Sequence, residues 1–238
     1  MVPVSFASFA FLDHEFALGT GGEVTRALYW AEERALLVAD LHLEKASFYA
    51  RTGQMLPPYD SRETLERLAH ALRLTGARRV FCLGDNFHDA AGPERLDPHA
   101  AGMLAALTRA TDWVWITGNH DEKGAGPDCP ALPGTHQIET TVAGVVLRHE
   151  ARPGETRPEL SGHFHPKLRV VQRGRSITRP CVVACESRMV LPAFGALTGG
   201  LDAGAPAIRA ALEPSRSGDA LIPAAGRIAR FALWRAAA

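Results

Sequence analysis

The chain has 238 residues, 46% hydrophobic and 22% charged, the balance of a soluble globular protein long enough for one α/β domain with a full core. No uninterrupted apolar run approaches the ~20 residues a membrane span needs, and the Phe-rich start lacks the basic region of a signal peptide, which points to a cytoplasmic protein with no membrane partner. Net charge is zero only in sum, because residues 1–147 carry 12 Lys/Arg against 19 Asp/Glu while residues 148–188 carry 9 against 4.

In chain order, residues 4–18 read as β-rich. Ala27-Leu28-Tyr29-Trp30 and Ala35-Leu36-Leu37-Val38-Ala39 predict a hairpin, and its second strand delivers Asp40 and His42. Residues two apart on a strand project to one side, so Asp-x-His can grip one ion. After Pro57 and Pro58, Asp60 reads as a helix N-cap with Glu63 three residues on. Leu65, Leu68, Ala69 and Leu72 follow helical spacing, and Gly76 ends that helix.

The run Arg79 to Leu83 predicts a buried strand, after which Gly84 turns the chain and presents Asp85 at the strand's C-terminal tip. A helix from about Asp97 to Ala110 leads to another buried strand, Trp113 to Ile116, which ends at Gly118-Asn119-His120-Asp121. A Gly/Pro-rich loop over Gly124–Gly134 precedes a hairpin expected over residues 135–149, turning at Ala143-Gly144 and delivering His149. Gly162-His163-Phe164-His165 follows, then strands over 167–191 with a turn at Arg173-Gly174-Arg175. One domain spans 1–238, with a core over about residues 25–200 and a low-complexity Ala/Arg/Gly tail. The four cysteines lack disulfide or zinc-site spacing and read as free thiols.

A lone His or Asp at a strand end usually serves a local hydrogen bond. Five strand ends in order, supplying Asp40 and His42, Asp85, Asn119 and His120, His149, and His163 and His165, are a different matter. Lysine occurs only at Lys45, Lys123 and Lys167, each within three residues of one of these motifs, a spacing that suits phosphate contacts.

This ordered set, over roughly residues 36–195, resembles the calcineurin-like metallophosphoesterase superfamily. The resemblance implies a two-layer β-sandwich flanked by helices, with two divalent metal ions at the strand ends. One would be held by Asp40, His42, Asp85 and His165, the other by Asp85, Asn119, His149 and His163, with Asp85 bridging; His136 is the fallback for His149. Mixed imidazole, carboxylate and amide ligation suits manganese, iron or zinc, and the family favours manganese. Such a pair acidifies a shared water and clamps the scissile phosphate. His120 is then the expected general acid for the leaving oxygen, with Asp121 orienting its ring.

Gly84-Asp85-Asn86-Phe87-His88 adds a histidine that resembles the motif of nuclease branches of the superfamily. Together with Asp40 to Phe48, Leu56-Pro57-Pro58-Tyr59-Asp60 and Leu191-Pro192-Ala193-Phe194-Gly195, it is similar to the ligase-associated DNA-damage-response endonucleases. That implies a manganese phosphodiesterase cutting single-stranded DNA in repair, with a DNA ligase and helicase as partners and Lys45 and Arg51 as phosphate contacts. Lys167, Arg173 and Arg175 lie in the basic segment beside the last motif and are further candidates. Alternatives are a small-molecule phosphodiesterase or nucleotide pyrophosphatase, and, more remotely, a non-catalytic metal-binding scaffold.

Overall fold

The computed structural model describes residues 6–21, 26–121, 132–172 and 174–235. Short apolar runs bounded by Gly, Pro and Asp become strands of two packed seven-stranded sheets. In the first, β1 (Phe6–Phe11), β2 (His14–Gly19), β3 (Leu28–Trp30), β4 (Ala35–Val38), β5 (Arg79–Leu83), β6 (Asp112–Ile116) and β7 (Thr135–Gln137) lie side by side in sequence order. β1 to β4 pair antiparallel, and β4 to β7 run parallel.

Parallel neighbours need long crossovers. α1 (Lys45–Ala50) and α2 (Asp60–Thr75) connect β4 to β5, while α3 (Gly92–Arg95) and α4 (Pro98–Ala110) connect β5 to β6. The second sheet contains β8 (Glu139–Val142), β9 (Val145–Arg148) and β10 (Glu159–Ser161). A separate ribbon of β11 (Lys167–Gln172) and β12 (Arg175–Pro180) follows, turning where the sequence predicts. The chain then returns through β13 (Val182–Ala184), β14 (Arg188–Val190), α5 (Pro206–Ala211), β15 (Ser217–Ala224) and β16 (Arg227–Arg235). The order across the second sheet is β16-β15-β13-β14-β10-β9-β8, with β10 parallel to both β9 and β14.

Alternation along the strands divides the core. On β5, Phe81 and Leu83 point between the sheets, where Phe16, Trp30, Leu37 and Ile116 meet Leu147, Leu160, Met189 and Leu221. Val80 and Cys82 point outward and pack with Trp113 and Trp115 against Leu65 and Leu68 of α2 and Leu104 of α4. Both faces of β4 and β5 are therefore covered, which is why those runs are continuously apolar. The fold is a two-layer α/β sandwich with helices outside.

Four local readings change. Asp60 does not cap α2, whose N-cap is Tyr59; its carboxylate instead accepts from the Ala46 amide of α1 at 3.1 Å. α1 itself was not anticipated, because six residues carry too little helical periodicity to register. Residues 135–137 leave the expected hairpin and join the first sheet as β7, so the hairpin is only β8–β9. The supposed low-complexity tail forms α5 and the β15–β16 hairpin, which buries Leu221 and Trp234, and the core likewise extends back to Phe11 and Phe16. Most of the loop expected over Gly124–Gly134, up to residue 131, lies outside the described residues, as do Lys123, Cys129 and Arg173.

Candidate metal centre

Five parallel strands end at one rim of the sandwich. β4 presents Asp40 and His42, β5 Asp85, β6 Asn119 and His120, β9 His149, and β10 His163 and His165. Ligands thus come from both sheets. The loops beyond the strands stay in register. The amides of Asp40, His42 and Leu43 donate to the carbonyls of Gly84, Asp85 and Asn86 at 3.1, 2.9 and 3.0 Å, and Gly162 donates to His149 at 2.7 Å.

Their side chains form two nests. In one, donor atoms of Asp40, His42 and His165 lie within 4.8 Å of one another; in the other, those of Asp85, His149 and His163 do. The His42 and His165 Nε2 atoms are 3.3 Å apart, and His165 Nε2 is 3.4 Å from Asp40 Oδ1. In the second nest, His149 Nε2 faces Asn119 Oδ1 at 3.0 Å, His163 Nδ1 at 3.1 Å and Asp85 Oδ1 at 3.4 Å. His149 Nδ1 lies 3.0 Å from the Leu83 carbonyl, which accepts its proton and leaves Nε2 a lone pair.

Lone pairs on a carboxylate, an amide oxygen and an imidazole facing one point repel one another unless a cation sits among them. The donor set therefore fits a divalent metal. Burial, with neighbouring imidazoles adding, holds His42 down to about 2, so this ring stays neutral and able to ligate. Burial also lowers His163.

Close packing sets the two central ligands. A side chain at Gly118 would place Cβ 2.1 Å from the Asp85 amide nitrogen and 2.4 Å from its Oδ1. At Gly84, where φ is +78°, Cβ would lie 2.3 Å from the His149 ring. Only glycine permits these approaches. The carboxylates are further fixed by backbone donors, with His120 N on Asp85 Oδ1 at 2.9 Å and His163 N bridging both oxygens of Asp40.

His120 stands at the edge of the nests with Nε2 4.0 Å from Asp85 Oδ2. Its orientation differs from expectation. The Asp121 carboxylate takes the amides of Asn86, Phe87 and Gly118 and the Asn86 side chain, all at 2.8–3.1 Å. It ties the β5 and β6 loops together and does not reach the His120 ring. That ring is held by the His88 carbonyl, 2.7 Å from Nδ1, and it stacks on the His88 ring with centroids 5.1 Å apart. His88 Nδ1 is 3.4 Å from His42 Nδ1, and burial holds His88 down to about 4. His136 is exposed on β7, its Nε2 3.0 Å from the Leu132 carbonyl, away from both nests, and His149 occupies the position in question.

The sequence model for calcineurin-like phosphoesterases matches residues 33–167, more than half of the chain and including every nest residue. The chain belongs to the calcineurin-like phosphoesterase family. A crystal structure of the nuclease MPE of Pseudomonas putida is similar to it, with a TM-score of 0.70 and 29% identity over 95% of this chain and 100% of that chain. No curated protein matches the sequence. The protein is a metal-dependent phosphoesterase.

The candidate substrate contacts of this phosphoesterase fall on α1 and on the β11–β12 ribbon. Lys45 opens α1 on the side of His42 and His88, and its charge adds to the lowering of both. The Asp60 carboxylate attracts the Lys45 ammonium, and the Lys167 ammonium donates to the Thr198 carbonyl at 3.1 Å. Burial lowers both lysines. Arg51 is exposed, 3.8 Å from Asp89, whose carboxylate is mainly taken by Arg95. Arg175 and Arg179 are exposed on β12 of the separate two-stranded ribbon. Phe48, the last residue of the Asp40–Phe48 motif, and Tyr49, neither of which had a role assigned from sequence, wall the His88 side of the site. Aromatic residues interleaved with Lys45 and Arg51 were the available clue. Among the described residues, no helix is long and apolar enough to cross a membrane.

Proposed function

We propose that this phosphoesterase is a dinuclear, manganese-preferring endonuclease that cuts single-stranded DNA in repair, in the cytoplasm and alongside a DNA ligase and helicase. One observation carries the dinuclear part: the two oxygens of Asp85 face different nests. Oδ2 is 3.8 Å from His42 Nε2 and Oδ1 is 3.4 Å from His149 Nε2. Asp40, His42, Asp85 and His165 would hold one ion, and Asp85, Asn119, His149 and His163 the other. Two divalent ions supply an acidified water and a clamp on the phosphate oxygens.

The chain's own residues do the rest. His120, with Nδ1 pinned by the His88 carbonyl, presents Nε2 to the leaving oxygen and gives it a proton. Its alanine variant is expected to lose ~10²–10⁴ in rate on esters with poor leaving groups while retaining metal. An undiminished rate would remove His120 from that role. The neutral His88 ring packs beside His120 and supports it against a diester; His88→Asn is expected to lower the ratio of diester to monoester hydrolysis. A parallel loss on both substrates would reduce His88 to packing.

DNA as substrate is supported by the similarity to a nuclease, by Lys45 and Arg51 at the two ends of α1, and by the basic run Lys167, Arg173 and Arg175 that follows His165 in the sequence. The deciding experiment is Mn²⁺-dependent cleavage of single-stranded, duplex and hairpin DNA beside bis-p-nitrophenyl phosphate. Hydrolysis of the small diester without DNA cleavage under any of several metals would instead make this a small-molecule phosphodiesterase. Replacing Arg173, Arg175 and Arg179 together is expected to weaken DNA cleavage and its salt dependence much more than small-ester hydrolysis.

A further inference from the structure

A column of rings leads out of the centre on the α1 side. His120 stacks on His88, with centroids 5.1 Å apart and planes at 28°. His88 in turn packs against Tyr49, at 5.4 Å and 34°, and meets the edge of Phe48 at 4.8 Å and 74°. Phe48 and Tyr49 also contact each other and are each only partly buried, so the column reaches solvent on α1. Lys45 and Arg51 flank it at the two ends of that helix.

The helix is a rigid mount. The Ser61 hydroxyl accepts from the Glu44 amide at 2.8 Å and donates to the Glu44 carboxylate at 2.7 Å, while Asp60 holds the Ala46 amide. Arg95 donates to Ser47 Oγ at 3.0 Å, and the His88 amide donates to the Leu43 carbonyl at 2.9 Å, joining the helix to the Asp85 loop. None of this fastening is needed to hold a metal. It fixes a partly exposed aromatic pair beside the expected proton donor.

Aromatic faces set between cations are how proteins hold single-stranded nucleic acid. Every base has a π-face, and stacking is worth ~1–3 kcal/mol per base. A base within a duplex has both faces occupied and cannot reach such a platform. We infer that Tyr49, backed by Phe48 and His88, is a stacking site for the unpaired nucleobase next to the scissile phosphate, with Lys45 and Arg51 meeting the adjoining phosphates. This rests on the DNA-cleaving reading and supplies its preference for single strands.

The test uses the full-length protein with Mn²⁺ and two single-stranded oligonucleotides that share one cleavage site. One carries all its bases; the other is abasic at the nucleotide beside that site, on each side in turn. Tyr49→Ala is expected to raise KM on the complete strand by about 5- to 100-fold more than on the abasic strand. Tyr49→Phe is expected to restore most of that difference. Equal losses on complete and abasic strands in every placement would mean that Tyr49 only supports His88, and would overturn the inference while leaving DNA cleavage established. Failure of the unaltered protein to cut any oligonucleotide would overturn both. A 2-aminopurine at the same nucleotide gives an independent readout: its fluorescence should be quenched on binding to the unaltered protein and less so with Tyr49→Ala.

Discussion

Five of the seven expected ligands sit in the left-handed region that L-residues avoid, with φ of 52° at Asp40, 43° at His42, 47° at Asp85, 72° at His163 and 49° at His165. Each such residue costs on the order of 1 kcal/mol, and Asp and His tolerate the region better than branched residues do. The twisted tips turn side chains inward at the strand ends, and the loop hydrogen bonds hold them there. Residue types and order were legible in the sequence because metal chemistry demands them. The backbone twist was not, since no side-chain pattern encodes it. Nor was Asp121's attachment to Asn86 and three amides, which depends on two distant loops meeting. Gly118→Ala tests the packing. Its Cβ would strike Asp85, so the variant is expected to fold with an unchanged circular dichroism spectrum and lose ~10–100-fold in metal affinity by titration calorimetry, as when a supporting residue of a metal site is lost. Unchanged affinity would show that the Asp85 loop can yield.

At the level of elements, the buried parallel strands were readable from continuous apolar runs, α2 from periodicity with Gly76 at its C-terminal stop, and α4 from about Asp97, which proves to be its N-cap. Short pieces were not: α1 and the β15–β16 hairpin owe their form to what they pack against. Beneath the His149 loop, Glu159 at the start of β10 is fully buried, 3.0 Å from Arg148 and 3.9 Å from Arg188. Burial raises its carboxyl, and the two guanidinium groups counteract that. Arg188 also reaches the Arg152, Ala211 and Glu213 carbonyls at 2.8–3.2 Å, tying β14 to α5. Glu159→Ala leaves the buried Arg188 without a carboxylate partner among the described residues, while Arg148 keeps Glu139 and Glu155 at 3.2 and 3.1 Å, and is expected to lower stability by ~3–5 kcal/mol in urea unfolding. A loss below ~1 kcal/mol would mean that water reaches the guanidinium groups.

For the molecule as a whole, alkaline pH is a weak point. Burial pushes Cys181 up to about 12 and Cys185 up to about 11, and Cys82 is raised as well. An unfolded chain releases these protons near 9, whereas the folded one keeps them. Stability from this source is therefore complete below pH 9 and falls as pH climbs toward 11–12, by ~1.4 kcal/mol per pH unit for each thiol. The urea midpoint is expected to drop between pH 9 and 10.5, less steeply in a Cys181→Ala/Cys185→Ala variant; identical slopes would assign the drop to other groups.

Because the nests draw on β4, β5 and β6 of one sheet and β9 and β10 of the other, an ion bound there rivets the two layers, and by mass action its chemical potential becomes a term in folding. At metal concentrations 100 times Kd the gain is ~2.7 kcal/mol, which for a chain of this length shifts Tm by ~5–11 °C. Chelation should lower Tm by that amount and added Mn²⁺ restore it. Amide exchange should quicken first at the rim where those five strands end, while the distant β1–β2 and β15–β16 hairpins keep their protection. For this protein, a melting curve is also a metal assay.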